Sequence, residues 1–88
     1  MTRYRLASHV LRAPVGDEEV LLDTRSEMYH HVGGSGRVII QGLEQGLSPA
    51  EISDQIASDT GEAVQRVAAD LNRFVASMID LGLLEDDA

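Results

Sequence analysis

The stretch "EMYHHVGGSGRVII", residues 27–40, changes its period in the middle. "EMYHHV" (27–32) reads as a strand, whereas Arg37, Val38, Ile39, Ile40 and Leu43 return at helical spacing. "GGSG" breaks the strand, and Ser35 is placed to cap the helix that follows. Adjacent strand residues point to opposite faces, so His30 and His31 cannot converge on one metal.

Upstream of this switch the pattern is extended. Tyr4, Leu6 and Val10 alternate with Arg3, Arg5 and His9, which predicts a first strand. "APVGD" (13–17) supplies a turn through Pro14 and Gly16, and "EEVLLD" (18–23) is a short second strand. With "TRSE" as the next turn, connections this short predict an antiparallel meander.

Downstream the pattern is helical. Gly46 is a left-handed cap for the first helix. "SPAE" (48–51) starts the second, with Ser48 as N-cap, Pro49 in the first turn and Glu51 completing a capping box. That helix buries Ile52 and Ile56 and is expected to end near Ser58. "DTGE" (59–62) offers a second capping box before the longest helix, which runs through Val64, Val67, Ala68, Leu71, Phe74, Val75, Met78 and Ile79 to Gly82. Leu83 and Leu84 are expected to pack back. Three strands followed by three helices predict an α+β domain with helices covering one sheet face. One domain over residues 1–85 with an acidic tail at 86–88 is the expected organisation.

Composition narrows the function. The chain has 88 residues, 43% of them hydrophobic, and such a domain buries only about 60–65% of its unfolded surface. It has no cysteine, hence no disulfide, thiolate zinc site or cysteine nucleophile. No apolar run reaches membrane-spanning length and the N-terminus lacks a secretory pattern, so a cytoplasmic protein without membrane contact is expected. The net charge is −8, with no lysine and seven scattered arginines, which disfavours nucleic acid as a partner.

Catalytic patterns are weak throughout. His9 is the only histidine besides the pair, no carboxylate stands at a ligand spacing, and no serine lies in an elbow motif. "GGSG" lacks the lysine and spacing of a phosphate loop, and Glu18–Glu19 reads as a solvated strand pair. No catalytic residue, metal or cofactor is therefore expected. The remaining asset is an edge. The last strand of a meander leaves N–H and C=O groups unpaired, open to an added peptide strand. On the last helix, Val64, Leu71, Val75 and Met78 centre the apolar stripe, while Val67, Phe74 and Asp70 form a shoulder suited to line a groove beside that edge.

These residues, in this order, resemble the pyrroloquinoline-quinone D-type family: Leu21–Asp23, Tyr29–Val32, Gly36, Gly46, Ser48, Glu51–Ile52, Val67–Asp70–Phe74 and Gly82–Leu84. The resemblance covers roughly residues 4 to 85. It implies a winged-helix-like RiPP precursor recognition element, most similar to the freestanding lasso-peptide versions. It further implies binding of a precursor leader to the third strand and last helix, and delivery to a cysteine leader protease and an ATP-dependent lasso cyclase. Family members often carry two aromatics and "LN" at the strand end and a tryptophan in the first helix. Here His30, His31, Val32 and Gly33 stand at the former place, and no tryptophan occurs. The peptide-binding set is then Met28, Tyr29, His30, His31, Val32, Val67, Asp70, Leu71 and Phe74. The rival readings are a winged-helix DNA-binding regulator and a structural subunit of a protease complex.

Overall fold

The computed structural model describes residues 2–87 and shows a mixed α+β domain. Its elements run β1 (Tyr4–Leu6), β2 (Val10–Val15), β3 (Glu18–Asp23), β4 (Met28–Val32), α1 (Ser35–Glu44), α2 (Pro49–Thr60), α3 (Val64–Asp80) and β5 (Leu84–Asp86). A three-stranded antiparallel sheet has the order β2-β3-β4, and the three expected helices follow it.

The first predicted strand is two strands in different sheets. β1 leaves the meander and pairs antiparallel with β5, Tyr4 opposite Asp86 and Leu6 opposite Leu84. Arg5 crosses this small sheet to the carboxylates of Glu85 and Asp87. Asp86 and Asp87, expected in an acidic tail, thus lie on and beside a strand. β2 absorbs most of the predicted turn: Ala13, Pro14 and Val15 pair with Val20, Glu19 and Glu18, leaving Gly16 and Asp17 as the loop. Pro14 is tolerated because β2 is an edge strand, where one N–H is not needed. Gly16 has φ 61°, which a two-residue hairpin loop requires and glycine adopts without strain.

Helix ends follow local chemistry in part. Ser48 and Glu51 form the reciprocal capping box of α2, Ser48 N–H donating to Glu51 Oε1 at 3.0 Å and Glu51 N–H to Ser48 Oγ at 3.2 Å. Ser35, by contrast, is the first residue of α1 and caps nothing; Gly34 holds the N-cap position with φ 56°. The sharp exit from β4 demands that positive φ, and Ser35 is carried past the cap. α2 continues to Thr60, two residues beyond the expected end. Thr60 therefore belongs to α2, where its hydroxyl donates to Ile56 O, and no capping box opens α3.

The core gathers Leu21, Val32, Ile39, Ile40, Leu43, Ile52, Leu71, Val75, Met78, Leu83 and Leu84 between sheet and helices. Val64 and Ile79, expected on the buried stripe, are 38% and 41% exposed, Ile79 lining an open cleft beside α2. Glu19, read as solvated, is 1% exposed. Gly42 permits close contact of α1 and α2: a Cβ there would lie 2.8 Å from Ile52 Cγ1.

Candidate functional site: an open strand edge beside a helical groove

β4 pairs with β3 along one side, Leu21 opposite His30 and Leu22 opposite Tyr29, and no described strand pairs with its other side. Its register is fixed by the turn before it. Asp23 Oδ1 accepts from the amides of Arg25 and Ser26 at 2.9 and 3.3 Å, and His9 Nε2 lies 3.5 Å away. Burial opposes ionisation of Asp23, but these hydrogen bonds and the nearby imidazole outweigh it and hold the carboxyl below its usual range. The aspartate that ends "LLD" is thus a turn clamp.

The two histidines stand on opposite faces of β4. His30 is half-buried opposite Leu21, whereas His31 is exposed with Nδ1 3.4 Å from Glu18 Oε1. Met28 and Tyr29 are 57% and 65% exposed, and Val32 is buried. Among the described residues no cluster of three or more histidines and carboxylates suits a metal ion.

At its C-terminal end the edge meets the helices. A Cβ on Gly36 of α1 would lie 2.6 Å from Val32 Cγ1 and 3.1 Å from Phe74 Cε1, so only glycine lets β4, α1 and α3 approach this closely. Beyond that junction lies a groove of about 150 Å³, lined by Ser35, Ile39, Ile56, Glu62, Val67, Asp70, Leu71 and Phe74. The expected shoulder of Val67, Asp70 and Phe74 is there, with Leu71 as its buried floor. None of Met28–Val32 lines it; Val32 reaches it through Gly36 and Phe74. Ser35, Ile39, Ile56 and Glu62 were not predicted. The apolar spacing marks Ile39 and Ile56 as inward-facing, but only the crossing of three helices decides which inward residues share a groove. A more open cleft of about 550 Å³ lies along α2 and α3, lined by Tyr4, Pro49, Ala68, Asn72 and Ile79 among others. Neither cleft is lined by β4 itself, but the smaller groove includes Phe74, which meets Val32 of β4 across Gly36, so it is the one that adjoins the edge.

Charge is largely spent internally. Arg3 is near Glu51, Arg5 bridges Glu85 and Asp87, Arg12 and Arg37 surround Glu19, and Arg73 pairs with Asp70. Among the described residues only Arg25 and Arg66 of the seven arginines make no ion pair. No described helix is long and apolar enough to cross a membrane.

No curated protein sequence matches the chain. Residues 18–84 match the family described as coenzyme PQQ synthesis protein D (PqqD). The fold is similar to a solved structure of TbiB1 in complex with the TbiA(beta) leader peptide, with a TM-score of 0.87 and 31% identity over 92% of this chain and 94% of that one. It is also similar to lasso peptide synthetase B1 complexed with the leader peptide, with a TM-score of 0.89 and 26% identity over 94% and 98% of the two chains. Sequence family and tertiary fold agree, and the chain belongs to the PqqD family, as a RiPP recognition element of the PqqD type.

Proposed function

We propose that this domain binds the leader of a ribosomally synthesised precursor, of the lasso class, by adding it as a strand to β4, and that it catalyses no reaction itself. The observation that carries the reading is an open edge adjoining a groove of apolar floor and polar rim, the two meeting at Val32, Gly36 and Phe74. Main-chain hydrogen bonds along β4 contribute about 0.5–1.5 kcal/mol each, and anchoring side chains in the groove select the sequence. Leader complexes of two structurally similar proteins support this assignment.

The bound leader is then delivered to a cysteine protease and an ATP-dependent cyclase. The outer face of the sheet supports a protein partner of this kind. Leu11, Val15 and Tyr29 are 59%, 57% and 65% exposed there, and Tyr29 lies on β4, the strand to which the leader adds, so one partner reaches both. The DNA-binding reading finds no support in a surface whose arginines are mostly paired with carboxylates.

The test is titration of the leader encoded by the neighbouring precursor gene. Phe74→Ala is expected to weaken binding about thirtyfold, as loss of a central anchor does. Successive N–H groups of a strand point to opposite sides, so of Tyr29→Pro and His30→Pro one removes an edge donor and the other a bond to β3. Wild-type affinity in both proline variants, each still folded, would rule out strand addition at β4.

A further inference from the structure

Glu19 stands on the inner face of β3, directly opposite Val32 of β4. Its Oε1 accepts from Arg12 Nη2 at 2.9 Å, and Arg12 Nη1 lies 3.8 Å from Glu44 of α1. Arg37 of α1 approaches the same Oε1 with its Nε but stops at 3.7 Å. A formed N–H···O bond spans about 2.7–3.2 Å. Glu19 Oε2 and Arg37 Nε are both buried, and neither has a hydrogen-bond partner among the described residues. Arg37 Nε and Glu19 Oε2 are thus buried in one ion-paired cluster without a hydrogen bond between the two side chains, although the rest of the Arg37 side chain is partly exposed.

The location of this gap matters. Arg37 follows Gly36, the residue pressed between Val32 and Phe74, and Glu19 is Val32's partner across the ladder. The missing hydrogen bond of this ion pair therefore runs beside the apolar contact that joins the strand edge to the groove. Both span the same interval between the sheet and the N-terminal end of α1.

We propose that Glu19 and Arg37 form a latch that closes when a peptide strand is added to β4; this rests on the leader-binding reading above. A peptide that pairs with β4 and anchors against Phe74 draws β4, and β3 with it, toward α1. A movement of under about 1 Å brings the Arg37 Nε–H onto the Glu19 carboxylate. The bond exists only in the bound arrangement, so it adds to affinity rather than to the stability of the free domain. A charge-assisted bond in a buried site is among the stronger hydrogen bonds a protein makes. Glu19 and Arg37 are positioning residues, since neither touches the peptide.

The probe is a peptide selected against the protein from a displayed random library and dependent on Phe74 for binding. On saturation, the Arg37 Nε–H resonance is expected to move downfield and to exchange with water about tenfold more slowly, while the amides of Met28–Val32 shift. Arg37→Lys keeps the charge but loses the Nε donor, and is expected to bind about tenfold more weakly without a matching loss of free-state stability. Glu19→Gln, where it folds, changes affinity in the same direction. Shifts along β4 with an unmoved Arg37 resonance and an unimpaired Arg37→Lys variant would overturn the latch while sparing strand addition. A fully protected Arg37 Nε–H in the free protein would also overturn it. If no peptide perturbs β4, the leader reading fails and the latch with it.

Discussion

The inner face of the β2–β3–β4 sheet carries Arg12, Glu19, Leu21 and Asp23, whereas its outer face carries Leu11, Val15, Val20, Leu22 and Tyr29. Both faces are mixed: Val10 and Val32 are also buried on the inner face, and Glu18 and His31 lie 3.4 Å apart on the outer one. Glu19 and Asp23 are 1% and 7% exposed, while Leu11, Val15 and Tyr29 are more than half exposed. Each inner carboxylate is tolerated because it is answered: Glu19 by Arg12 and Asp23 by two amides and His9. The exposed Leu11, Val15 and Tyr29 of the outer face have no such answer within the described chain. Burial in this sheet follows the partners available to each side chain, and the exposed apolar residues of the outer face are those on which the proposed protein contact rests.

Substitutions on either face distinguish their roles. Leu21 is fully buried, and Leu21→Ala is expected to cost about 2–5 kcal/mol in denaturant melts, the largest effect of the set. A loss as small as that of an outer-face leucine would mean the faces are misassigned. Gly36→Ala places a methyl against Val32 and Phe74 and is expected to cost about 1–3 kcal/mol, with a loss of leader affinity beyond the loss of stability. Full binding in that variant would separate the groove from the edge.

Acid sharpens the inner face specifically. The hydrogen bond from Arg12 holds Glu19 below the usual carboxylate range against the effect of burial, and Asp23 is lowered as described above. A depressed folded-state value means that the unfolded chain binds more protons at a given pH. Stability from these groups is therefore present above the ordinary carboxylate range and is lost as pH falls through their folded values. Thermal melts between about pH 5 and pH 2 are expected to show this loss, and Asp23→Asn to flatten it. An unchanged acid limb in that variant would remove Asp23 from the account. On the outer face, Leu11→Ala is expected to change stability by no more than about 0.5 kcal/mol and to leave leader affinity intact, while slowing protease-dependent leader removal. Normal processing would count against the proposed docking of a protease on the outer face.

Much of the architecture was legible because it is local. The switch at "GGSG", the capping box at Ser48 and Glu51 and the cap at Gly46 are decided by residues within about four positions of one another. The failures were also local contests. Ser35 loses the N-cap to Gly34, since only a positive φ turns the chain out of β4, and Thr60 is drawn into α2 before it can cap α3.

Short-range period and capping were enough to mark β3, β4, the three helices and the Val67–Asp70–Phe74 shoulder, but not the break between β1 and β2 or the strand β5. Only the tertiary structure decided that β1 pairs with β5 some eighty residues away, and that Glu19 turns inward. Apolar residues occupy both faces of β3, so alternation alone leaves two registers open, and a slip of one residue would exchange the faces. The same holds for the groove. Ile39 and Ile56 come from different helices, and their meeting with Phe74 depends on how closely Gly36 lets strand and helices approach.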